Sequence, residues 1–136
     1  MQRLTATEEL VMCVIWTYDQ SISVMRKING KQVESVISDP YMIAIRQICT
    51  QRYHKKWATQ TVSTFLARLV RKGYLTSYRV NSCTYYIPVF TFDEYRIQKI
   101  LDMRDLLFAG DMDSMRRFLS EIPSDSVSDE EYQDYI

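Results

Sequence analysis

Residues 58–73 read Ala-Thr-Gln-Thr-Val-Ser-Thr-Phe-Leu-Ala-Arg-Leu-Val-Arg-Lys-Gly. Val62, Phe65, Leu66 and Leu69 fall at i, i+3, i+4 and i+7, which predicts a helix over 59–72 with these four as its buried stripe. Gly73 stands where helices end on a left-handed residue, and Arg71 and Lys72 suit the negative end of the helix dipole. On the other side, Gln60, Thr64, Arg68 and Arg71 line up at spacings of four, four and three, flanked by Thr61, Ser63 and Ala67. Thr and Ser are poor helix formers, and a merely solvated face would favour Glu and Lys. Short hydrogen-bonding groups followed by arginines mark a face with a partner.

The charge around this helix names the kind of partner. From Pro40 to Phe92 there is no Asp or Glu, while Arg46, Arg52, Lys55, Lys56, Arg68, Arg71, Lys72 and Arg79 are all basic. The whole chain is neutral, with 17 residues of each sign. Residues 93–136 hold twelve acids and five bases, a net of −7. Positive charge is thus segregated onto one module, where it attracts a polyanion.

A chain of 136 residues accommodates one core and a small appendage. No apolar run approaches the ~20 residues of a bilayer span and no signal-peptide pattern opens the chain, so a cytoplasmic protein without membrane insertion is expected. Cys13, Cys49 and Cys83 are isolated, and no Cys/His cluster suggests a structural metal. No cofactor or metal site is expected. The acids at 129–134 read as a solvated tail.

Working outward, Thr5-Ala6-Thr7-Glu8 has capping-box spacing, and Val11, Val14, Ile15 and Tyr18 form one helical face, so a helix is expected from Thr5 to Tyr18. Ser21–Ile28 reads as a short helix ended by Asn29-Gly30. Asp39-Pro40 reads as N-cap and N1 of a helix to Tyr53, with Ile43, Ile45, Ile48 and Cys49 inward and Arg46, Gln47 and Arg52 outward. After Gly73 the period changes to two. Leu75–Val80 and Thr84–Val89, joined through Asn81-Ser82-Cys83, read as a β-hairpin with Pro88 at an edge or strand end. A helix pair leading into a hairpin is a winged helix-turn-helix, in a mainly α chain. Helices are expected over about 94–108 and 112–121, and Ser128-x-x-Glu131 has the spacing to cap one last turn. The expected organisation is a DNA-binding domain over 1–90 with an insert at about 20–39, a helical dimerisation region over 91–122, and an acidic tail over 123–136. Ile100, Leu101, Leu107, Phe108, Met115, Phe118 and Leu119 have no place in a winged-helix core and are the expected dimer contacts.

Trp57, Thr61-Val62-x-Thr64 and Arg68-Leu69-x-x-Lys72-Gly73 resemble the penicillinase-repressor family of BlaI/MecI-type winged-helix transcriptional repressors. Leu4-Thr5, Val11-Met12 and Trp16 resemble its first helix, Tyr85-Tyr86 its wing, and Gly110 with Ser114 its dimerisation end. The resemblance implies a homodimer on a palindromic operator in double-stranded DNA, repressing β-lactam-resistance-type or related genes. It implies that Gln60, Thr61, Ser63, Thr64 and Arg68 face the major groove, with Thr59 also among the DNA-binding residues. Lys56, Arg71, Arg79, Asn81 and Tyr85 would mainly contact phosphates. It also implies a membrane sensor-protease system as partner, acting where the family carries an Asn-Phe pair. Here Asp102-Met103 stands in that place as the candidate cleavage position. Ala58 replaces the usual capping residue, which would move the cap to Thr59. Residues 21–39 are extra, and deleting residues 20–38 is expected to leave the fold intact. No Cys follows Cys83, so the copper sensing of some relatives is not expected.

Two other classes are weaker. A winged-helix protein-interaction module without sequence-specific DNA binding would present an apolar or acidic recognition face, and this face is neither. An enzyme is not expected: the lone His54 lies among Arg52, Lys55 and Lys56 with no acid near in sequence.

Overall fold

The computed structural model describes residues 1–124 and divides the chain into two compact units, Met1–Val89 and a second beginning at Phe90. The expected turn at Ser128–Glu131 and the acids at 129–134 lie outside the described residues. In the first unit the order is α1 (Ala6–Trp16), β1 (Ile22–Ile28), β2 (Lys31–Ile37), α2 (Met42–Tyr53), α3 (Thr59–Arg71), β3 (Leu75–Val80) and β4 (Cys83–Pro88). The second unit holds α4 (Phe92–Leu107) and α5 (Met112–Glu121). Three helices leading into the antiparallel β3–β4 hairpin make a winged helix.

The capping box forms as its spacing predicts. The Thr5 hydroxyl accepts from the Glu8 amide at 3.1 Å, and Glu8 Oε1 accepts from the Thr5 amide at 2.8 Å. The helix stops at Trp16, two residues short of expectation, with Thr17 as C-cap. Val11, Met12, Val14 and Ile15 of α1 are buried, as are Ala44, Ile45 and Cys49 of α2 and Val62, Leu66 and Leu69 of α3. Each of these helices touches the other two, so one core fixes all three. At the end of α3, Gly73 takes φ +82°. Its amide donates to the Val70 carbonyl, and that of Tyr74 to the Leu69 carbonyl at 2.9 Å. This paired closure satisfies carbonyls that the helix end would orphan, and it turns the chain sharply into β3.

Several expectations are corrected. Residues 22–28 are a strand, not a helix. β1 pairs with β2 in register from Ile22↔Ile37 to Ile28↔Lys31. Asn29 and Gly30 take φ +53° and +78°, so the dipeptide that reads as a helix stop is the two-residue turn of a hairpin. β-Branched Ile22, Val24 and Ile37 occupy one face, and they pack against Val80 and Tyr85 of the wing in a second small core. The insert therefore supplies one side of that core.

Asp39 does not cap α2 and Pro40 is not in it. The helix begins at Met42 after Tyr41, because the preceding residues are claimed from elsewhere. Asp39 Oδ2 accepts from the Tyr78 hydroxyl at 2.7 Å, and the Pro40 carbonyl accepts from the Tyr86 amide at 2.9 Å. On α2, Ile43 is exposed and Ala44 is buried in its stead. Arg46 is half-buried rather than outward, donating from Nε to the Trp57 carbonyl at 2.7 Å. Ala58 remains the N-cap of α3 with no side-chain bond, so the cap does not shift to Thr59. Cys83 belongs to β4, opposite Val80.

Thr91 caps α4 by accepting from the Glu94 amide at 3.1 Å. Asp111 caps α5, accepting from the Asp113 and Ser114 amides.

Candidate nucleic-acid interface

The buried stripe of α3 decides what the helix shows outward. With Val62, Leu66 and Leu69 inside, Thr59, Gln60, Ser63, Ala67, Arg68 and Arg71 are exposed, and Thr61 and Thr64 are half-buried. The Thr64 hydroxyl donates to the Gln60 carbonyl at 2.9 Å, which leaves its oxygen as an acceptor toward a partner. With no side-chain cap and no acid in the first turn, the helix N-terminus keeps its positive polarity.

The entry to α3 is held from behind. The Trp57 ring meets Phe65 edge-on at 5.1 Å while its carbonyl takes the Arg46 bond. The Thr50 hydroxyl lies 3.0 Å from both the Arg46 and the Lys55 carbonyl oxygens, and His54 takes φ +56° to close α2. Arg46 and Thr50 are thus positioning residues that sequence reasoning missed. Their partners are backbone carbonyls, which no sequence pattern announces.

The eight central cations divide by task. Arg46 holds Trp57. Arg52 donates to the Thr17 hydroxyl at 2.8 Å, tying α2 to α1. Lys72 is engaged by the N-terminal segment: its Nζ lies 2.6 Å from Glu8 Oε1 and 3.0 Å from the Arg3 carbonyl. Glu8 is 1% exposed. Burial alone would raise its pKa, but the Lys72 and Thr5 bonds outweigh it and hold the carboxyl below its ordinary 4.5. Among the described residues no acid pairs with Lys55, Lys56, Arg68 or Arg71. These four, with Arg79, are the central cations left to the outward side of α3 and the wing.

On the wing, Arg79 is exposed and donates to the Ser82 carbonyl at 3.0 Å across the Asn81–Ser82 turn. Asn81 is exposed, but its amide donates to the Met25 carbonyl of β1 at 2.7 Å, hooking the wing tip to the first hairpin. Tyr85 corrects an expectation. It is 2% exposed, stacked on Tyr78 at 5.5 Å and edge-on to Tyr41 at 6.0 Å, so it supports the wing from inside and does not meet phosphate. The strand register sends it to the core that β1 and β2 complete. Tyr78 is pushed up to about 12, by burial first and then by its bond to Asp39.

In the second unit, no residue of α4 is buried. Ile100, Leu107, Phe118 and Leu119 are exposed, Leu107 at 65%, and Leu106 reaches 77%. Leu101 and Phe108 are half-buried, Phe108 lying 5.5 Å from the Phe118 ring. Met115 is 2% exposed and is corrected from the expected contact set: it is already buried within the chain. Asp102 and Met103 lie inside α4, with Asp102 accepting from Gln98 at 2.9 Å. Among the described residues no helix is long and apolar enough to cross a membrane, and no cluster of side chains has the makeup of a metal site.

A sequence model of one family, described as penicillinase repressor, matches residues 29–134. The match takes in β2, α2, α3, the wing and both helices of the second unit, and leaves α1 and β1 outside. No curated protein matches the chain.

Proposed function

The chain belongs to the penicillinase repressor family, and on that premise we propose that it is a sequence-specific repressor holding a palindromic operator as a homodimer. The observation that carries this reading is the outward face of α3. Gln60, Ser63, Thr64 and Arg68 offer donors and acceptors at helical spacing, in a region free of acids. A major groove admits such a helix. An Arg there reads guanine and a Gln reads adenine, each good pair discriminating by about 1–3 kcal/mol. Thr59 and Thr61 lie at the helix start, the end that enters the groove first. Lys56, Arg71 and Arg79 flank this face and hold phosphates, which sets register without reading sequence. Asn81 reaches the backbone by what its Met25 bond leaves over.

Two copies meet through the second unit. A sixteen-residue helix with Ile97, Ile100, Met103, Leu106 and Leu107 all exposed is a surface suited to a second copy. Leu101, Phe108, Phe118 and Leu119 complete it. Two α3 helices so joined would read half-sites about one helical turn apart, roughly 34–36 Å. The repressor works in the cytoplasm on genes of the β-lactam-resistance type or related ones. A membrane sensor-protease system releases it by cutting at Asp102–Met103. That bond lies mid-helix, so cleavage requires α4 to unwind locally first.

Selection of sites from a random duplex pool, followed by footprinting, tests the proposal. Recovery of a two-fold symmetric site with half-sites one turn apart is expected. A pool that stays random after repeated rounds would overturn it.

A further inference from the structure

The β1–β2 hairpin has a basic end and a fixed base. At the base, Ile22, Val24 and Ile37 pack on the wing core, and the Ser21 and Ser38 hydroxyls meet at 2.9 Å. The hairpin's one acid, Glu34, accepts from Ser23 at 2.5 Å and faces Met25 across the register. Beyond that pair, Arg26, Lys27 and Lys31 flank the Asn29–Gly30 turn with no acid among them, and all three are exposed. The wing tip meets the hairpin at Met25 through Asn81. At about 3.3 Å per residue, β1 then carries its turn ~10 Å beyond that contact.

Like charges crowded at a hairpin end destabilise it. Arg26 and Lys31 lie diagonally on one face, since Arg26 pairs with Val33 and Lys31 with Ile28. Such an end would be more stable with a Glu among its lysines, unless a polyanion supplies the missing charge. The wing beside it carries Arg79, itself exposed. We propose that the first hairpin is a second wing: Arg26, Lys27 and Lys31 hold phosphates of the same duplex, outboard of those held by Arg79. This inference rests on the reading of α3 and the wing as a DNA interface. It lengthens the contacted duplex and steepens its salt dependence.

The test compares the intact chain with the triple variant Arg26→Gln, Lys27→Gln, Lys31→Gln, with each single variant, and with Arg68→Ala. Binding to a mixed-sequence duplex of about four helical turns is titrated across salt. Each phosphate contact adds ~0.9 to the slope of log K against log salt, so the triple variant should be shallower by up to ~2.7 per protomer and each single variant by up to ~0.9. Arg68→Ala should keep the hairpin's share of the slope while losing sequence preference. A triple variant with the intact chain's slope would overturn the second wing, leaving these cations as guards of the strand edges or contacts for a protein. An intact chain that binds duplex DNA without selecting any sequence would overturn the operator reading alone, because the slope comparison still judges the hairpin. Failure of the intact chain to bind duplex DNA would overturn both. The single substitutions lie on exposed strand positions, so they keep the comparison open should the triple variant not fold.

Discussion

Replacing Lys72 by Met would strand the Glu8 carboxylate. Glu8 is 1% exposed, and the Lys72 ammonium at 2.6 Å is its one cationic partner among the described residues. Breaking a buried ion pair on one side costs about 3–5 kcal/mol. Here the loss should be smaller, about 2–3 kcal/mol near neutral pH, because Lys72 keeps 25% of its side-chain exposure and Glu8 retains the Thr5 amide. The pH dependence separates this cause from lost packing. In the intact protein Glu8 lies below its ordinary 4.5, so its stabilisation is present above that value and is lost as pH falls through the folded-state pKa. In the variant, burial is left to dominate and pushes the carboxyl up. The penalty of Lys72→Met should therefore shrink on moving from about pH 7 to about pH 4, where Glu8 becomes protonated. Urea unfolding followed by tryptophan emission measures it, since Trp16 and Trp57 both lie in the first unit. A penalty that stays the same at both pH values, or falls below about 0.5 kcal/mol, would refute the ion-pair argument.

Other outcomes follow from the same geometry. Arg68→Ala and Thr64→Ala should relax base preference by about 1–3 kcal/mol at one position of a selected site, while Arg79→Ala weakens all sequences alike; competition binding distinguishes them, and the reverse pattern would misplace the reading helix. Leu107→Glu, at a 65% exposed position, should yield a folded monomer by sedimentation; an undisturbed dimer would move the interface elsewhere. Excising residues 20–38 should lower the stability of the first unit by several kcal/mol, as expected when the core around Val80 and Tyr85 is opened, and a lossless deletion would deny that the hairpins share a core.

The sequence disclosed best what is decided locally. The α3 stripe, the Gly73 closure and the β3–β4 hairpin each depend on neighbours a few residues away, and each forms, with Phe65 half-buried rather than buried and β4 one residue earlier than expected. The first hairpin was illegible because Asn-Gly suits both a helix stop and a two-residue turn. Seven residues with Ile22, Val24, Met25 and Ile28 do not settle the period. The start of α2 escapes a local reading for a long-range reason: Tyr78, 39 residues on, takes the Asp39 carboxylate that would have capped it. Tyr85 shows the same limit at the candidate site. Whether a wing tyrosine faces phosphate or core depends on which side of the sheet is covered, and β1 and β2 do the covering. The outward face of α3 was legible because its residue types contradict an ordinary solvated helix.

The first hairpin's strands are bonded to each other along their whole length, and its two ends return to the same place, Ser21 beside Ser38. A ribbon of this kind grows or shrinks in steps, one residue on each strand, without moving the helices on either side. Each step shifts the tip by about 3.3 Å and turns over the outward face, so steps of two preserve which side chains point where. The protein therefore carries an adjustable ruler beside its wing, whose length can drift or be engineered independently of every residue on α3.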